Sequence, residues 1–179
     1  VQYTNTGLTF TGHGDSGVGG GATLSSSGTG DHNRSFTAQT TGTVYMSCLV
    51  NITAVSGSGD YFLYYYTSPS TFLVRINAIT SSGNLRFGVG KSANGTAAAT
   101  NFVLGTTYML VAKYTFIAGA GNDQVDLWVL PAFASTEALA GAPLQTVTTG
   151  TDATTLGGVA IRQGSNPPTA TIDAIRVGT

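Results

Sequence analysis

The feature that most restricts this chain is alternation. From Ser35 onward, short runs of alternating apolar and polar residues are separated by turns rich in glycine, serine and asparagine. A period of two is the repeat of a strand with one buried face, whereas an amphipathic helix repeats about every 3.6 residues. Residues 43–52 set Val44, Met46, Cys48, Val50 and Ile52 on one face against Tyr45, Ser47, Leu49 and Asn51 on the other. Residues 61–66, 71–79, 85–90, 108–116, 124–130, 158–162 and 169–177 read as further strands, with Pro69 closing one of them. Roughly ten short strands at even spacing predict an all-β, two-sheet antiparallel sandwich or jelly roll, because no strand–helix alternation is present to build a parallel sheet. Only 132–140 offers a short helix.

At 179 residues the chain suits one domain, 1–179, with a core of useful size. Within it, residues 1–34 stand apart. After a short strand candidate at 7–10 they become glycine-rich and read as an N-terminal arm or loop region. Charged residues make up 8% of the chain and the formal net charge is −1, far from the basic footprint that nucleic acid or an anionic membrane demands. No apolar run reaches the length of a membrane-spanning helix. Polarity comes from Thr, Ser, Asn and Gly, a make-up that resembles exported bacterial surface proteins. A chain beginning at Val1 reads as a mature, processed protein or an excised domain. The expected location is therefore secreted or cell-surface.

Several motifs resemble a known family. The hairpin of residues 108–114 and 123–129, ending in Leu127-Trp128-Val129, looks like the central strand pair of laminin-G-like domains. Residues 170–178, Ala-Thr-Ile-Asp-Ala-Ile-Arg-Val-Gly, resemble that family's closing strand, and 43–51 falls where the family has an early strand. The likeness spans about residues 35–179 in the right order. It implies the concanavalin A-like jelly roll, two curved antiparallel sheets with first and last strands paired, in a family of lectins, carbohydrate-binding and adhesion modules and glucanases. Leu130-Pro131 departs from the family's usual turn, and residues 1–34 match none of its motifs.

Catalysis is not expected. The glucanases of this family carry paired carboxylates on one strand, and this chain has a single glutamate, Glu137, outside any strand pattern. Tyr, His, Lys and Arg are present, but not in the paired motifs of a polysaccharide lyase. No nucleophile elbow and no phosphate-binding glycine motif occurs. Cys48, the single cysteine, falls among Val44, Met46 and Val50 and reads as a small buried hydrophobe. Asp15, Asp31 and Asn33 lie in glycine loops beside His13 and His32. Such loops supply carboxylate and carbonyl oxygens for Ca2+, which many members of the resembled family hold. The same residues also cap turns without a metal.

The remaining signal is a face. Arg75, Arg86, Lys113 and Arg162 each occupy the outward position of an apolar alternation, as do Asp126 and Trp128, and Tyr64 belongs to an aromatic run that must point both ways. Sharing one sheet, these residues would form a glycan-binding surface: a flat ring for the apolar side of a sugar, and donors for hydroxyls or carboxylates, with the cations favouring an acidic glycan. The plainer reading is that outward charges keep strands soluble and Trp128 lies under a loop. Two functions follow. One is a glycan-binding or adhesion module for a glycan or other surface polymer. The other is a structural subunit of a surface layer or filament, self-assembling with identical chains through strand edges.

Overall fold

The computed structural model describes residues 1–25, 30–68 and 71–179. Pro69 and the Gly28-Thr29 pair of the glycine-rich region lie outside them. Among these residues, two antiparallel sheets pack face to face, with one four-residue helix. The first sheet has seven strands: β1 (Gln2–Thr4), β2 (Gly21–Leu24), β4 (Thr43–Ala54), β8 (Thr107–Thr115), β9 (Gln124–Leu130), β10 (Gln145–Val147) and β12 (Thr169–Gly178), in the order β1-β2-β12-β4-β8-β9-β10. The second has five: β3 (His32–Gln39), β5 (Asp60–Tyr66), β6 (Phe72–Ser81), β7 (Asn84–Gly90) and β11 (Leu156–Ile161), in the order β3-β11-β5-β6-β7. Among the described residues no helix is long and apolar enough to cross a membrane.

Alternation builds the core as the sequence predicts. Val44, Met46, Cys48, Val50 and Ile52 of β4 meet Phe62, Tyr65, Ile76, Phe87 and Val89 of the opposite sheet in one apolar layer. The Cys48 thiol is wholly buried there, and burial pushes its pKa up to about 12, so it stays a neutral hydrophobe.

Three expectations change. Residues 7–10 form no strand; they run as coil across the outer face of the seven-stranded sheet. The glycine-rich region holds β1, β2 and the start of β3. The last strand pairs with β2 and β4 rather than with the first strand, and β1 sits outside β2. Three- and four-residue strands such as β1, β2 and β10 are too short to show a period in sequence.

Candidate carbohydrate-binding groove

The outer face of the seven-stranded sheet is ordered in rows. Cross-strand pairing places Tyr45, Lys113, Asp126 and Thr146 side by side across β4, β8, β9 and β10. The next row carries Ser47, Val111 and Trp128, and the one after it Leu49, Met109 and Leu130. That third row would be a bare apolar stripe. It is covered by Leu8 and Phe10 from the N-terminal coil and by Ala134 and Ala140 from the segment after β9, which form a second, smaller core with Trp128. Leu8 is tied down by its amide, which donates to Asp173 Oδ2 at 2.8 Å. A side chain on the preceding Gly7 would stand 2.9 Å from the same carboxylate oxygen.

The cover contains the helix α1 (Glu137–Ala140). Thr136 caps its N-terminus, its hydroxyl accepting from the Leu139 amide, and Gly141 ends it at φ 73°, where a side chain would be strained. The Gly141 carbonyl then accepts the indole N–H of Trp128 at 2.9 Å. Trp128 is 4% exposed and its one donor is used. Its indole N–H is therefore not available to a ligand.

Where the cover stops, a groove of about 320 Å³ remains. Met109, Val111, Trp128 and Leu130 line it from the sheet, and Tyr45, Ser47, Ser135, Thr136 and Glu137 add polar groups. At its margin the Glu137 carboxylate accepts from the Tyr45 hydroxyl and pairs with Lys113 Nζ at 3.0 Å, while the ammonium lies 5.7 Å from the centre of the Tyr45 ring. The Tyr45 hydrogen bond, with help from Lys113, holds the Glu137 carboxyl below its ordinary range. Hydrogen bonding to the Glu137 carboxylate in turn raises the Tyr45 phenol and the Lys113 ammonium. At neutral pH the trio is a carboxylate, a phenol and an ammonium, with no member poised to exchange a proton.

The proposed face is thus divided. Trp128, Lys113 and Asp126 share the seven-stranded sheet, but Asp126 is buried and engaged by Thr146 Oγ1 at 2.6 Å and by Gln124 Nε2. Arg75, Arg162 and Tyr64 lie on the outer face of the other sheet. There Arg162 covers the Tyr61 ring at 4.1 Å and pairs with Asp60, Arg75 lies 5.0 Å from the same ring, and Tyr64 packs against Tyr61 and Phe72. Arg86, on the edge strand β7, donates to Asn101. The candidate metal ligands also part. Asp15 pairs with Arg176, Asp31 accepts from the Gln163 amide and the Tyr64 hydroxyl, and Asn33 accepts from Tyr66. Among the described residues no three His, Cys, Asp or Glu side chains cluster as a metal site. Sequence reasoning missed Glu137 and Tyr45 as partners because 92 residues separate them; the only available sign was a lone glutamate following a capping threonine.

No protein-family model and no curated protein matches the chain. Among solved structures, a heptameric SAP-like pentraxin from Limulus polyphemus aligns with a TM-score of 0.56 at 12% identity, over 98% of this chain and 74% of that one. The fold is a two-sheet antiparallel jelly roll. Weaker similarity is found to the carbohydrate-binding module CBM66 from Bacillus subtilis (TM-score 0.45, 11% identity, 99% and 95% of the two chains). An alginate lyase from Alteromonas sp. 272 is similar at the same level (TM-score 0.47, 10% identity, 87% and 82%).

Proposed function

We propose that the jelly roll is an extracellular glycan-binding module and that the groove over Trp128 receives one or two sugar rings. The observation that carries this is the juxtaposition of an apolar floor, Met109, Val111 and Trp128, with Tyr45, Ser47, Thr136 and Glu137 at hydrogen-bonding positions around it. Apolar C–H faces of a sugar match the floor, and its hydroxyls match the rim. Lys113 is neutralised by Glu137 and flanked by Asp126, so the groove has no excess positive charge and suits an uncharged sugar rather than an acidic one. The locked protonation states of Tyr45, Lys113 and Glu137 favour binding over turnover.

A glycan array tests the reading. Neutral glycans should be retained by the wild-type protein and lost by Glu137→Gln combined with Tyr45→Phe, both of which keep the shape of the groove. Retention unchanged by the double variant, or confined to acidic glycans, refutes it. The second reading, a subunit assembled through strand edges, would use the eight-residue edge strand β3, and the inward His32 and Arg34 of that strand stand against such pairing. The mass of the particle by light scattering decides between a module and an assembly.

A further inference from the structure

Strand β3 breaks the rule that built the rest of the sandwich. Pairing with β11 sets His32 opposite Ile161 and Arg34 opposite Val159. Ile161 and Val159 both belong to the main core between the sheets, and cross-strand partners share a face. Two potential cations therefore hold inward positions that elsewhere carry apolar side chains. Among the described residues, no strand closes the sandwich beneath them. The last strand pairs with β2 only over Ala170–Ile172, and beyond the bulge at Asp173–Arg176 its outer edge has no strand partner among the described residues, leaving Ile175 and Val177 half-buried. The result is a groove of about 380 Å³ with walls of Phe36, Val159, Ile161, Ile175 and Val177. It runs into a second groove of about 410 Å³ through the shared residues His32, Ile161 and Ile175.

Inward charges on an edge strand commonly guard it against pairing with another chain, and they make a second copy a poor occupant here. Guarding alone does not account for the long apolar trough that His32 and Arg34 overlook. Among the described residues neither the Arg34 side chain nor that of His32 forms a hydrogen bond or ion pair. An aliphatic trough with an unpaired guanidinium at its mouth is complementary to an aliphatic chain with an anionic head.

We propose that the cleft between β3 and β12 binds a free long-chain fatty acid, its hydrocarbon between the sheets and its carboxylate on Arg34. This site is separate from the groove over Trp128 and stands whether or not that groove binds sugar.

The test is calorimetric titration with octanoate, decanoate, dodecanoate and tetradecanoate below their micellar concentrations, with 1-dodecanol as a headless control. Affinity should rise about fourfold per added methylene and then level off when the chain outgrows the cleft. Arg34→Gln should weaken dodecanoate about tenfold and leave 1-dodecanol unchanged. Val177→Trp, which fills the trough, should abolish binding of both; Phe36→Trp from the opposite wall replaces it if thermal melting shows that Val177→Trp is unfolded. Absent binding, binding that ignores chain length, or binding indifferent to the filling variant overturns the proposal. Equal loss of acid and alcohol in Arg34→Gln overturns the assignment of the carboxylate.

Discussion

Lys91 is the most demanding residue in the fold to replace. Its side chain is wholly buried, and its ammonium donates to the carbonyls of Asp123 (3.0 Å) and Thr148 (2.9 Å) and to Asp152 Oδ1 (2.5 Å). Asp152 is 19% exposed and also accepts the amides of Gly121, Asn122 and Asp123, so this one pair fastens the 118–123 turn to the loop before β11. The two partners are unequal when separated. Lys91→Met leaves a carboxylate that still has three backbone donors and some water, so its cost falls at the low end of that for breaking a buried pair, about 3 kcal/mol. Asp152→Asn leaves an ammonium with no solvent and only two carbonyls, and turns an amide N–H2 toward backbone donors; about 4–5 kcal/mol is expected. Against a total stability of about 5–15 kcal/mol, either loss is large. Urea unfolding at pH 7 reads both, and the double variant should recover at least 1.5 kcal/mol relative to the sum of the singles. Lys91 holds the Asp152 carboxyl below its ordinary value, so the contribution is present at neutral pH and fades as pH falls below about 4. A Lys91→Met protein within 1 kcal/mol of wild type, or strictly additive singles, refutes the reasoning.

Other perturbations are also decisive. Gly158→Ala should cost about 1–3 kcal/mol in urea unfolding, because its Cβ would lie 2.0 Å from the Tyr66 ring, which lies across that strand. Trp128, the single tryptophan, should emit as a buried indole, shift to the red on unfolding, and change intensity when a glycan enters the groove; unchanged emission at saturating glycan places the sugar elsewhere. Glu137 has a lowered pKa, held down first by the Tyr45 hydrogen bond, so its contacts with Tyr45 and Lys113 should outlast those of an ordinary carboxylate as pH falls, with glycan retention following the same course. Cys48 should resist alkylation at neutral pH in the folded protein and react promptly in denaturant, since burial keeps its thiol protonated.

The parts of this molecule legible in its sequence are those that depend on neighbours along the chain. The alternation in β4 names its core face residue by residue, because a strand turns its side chains over at every step, and 124–130 matches the observed β9 end to end. The outward face could not be assembled the same way. Whether Arg75 and Lys113 share a surface depends on which sheet β6 and β8 join, and both strands show the same alternation whichever sheet they enter. Leu49 makes the point within one strand. It sits on the outward face and is still fully buried, because residues 8–10 and 134–140, which carry no period of their own, fold back to cover it. The groove over Trp128 exists only as the limit of that cover. A site bounded by an irregular segment and a sheet face has no signature in either one alone. The one local departure from pattern that does survive in the sequence, His32 and Arg34 at inward positions of β3, becomes visible as a departure only once β11 shows which way inward is.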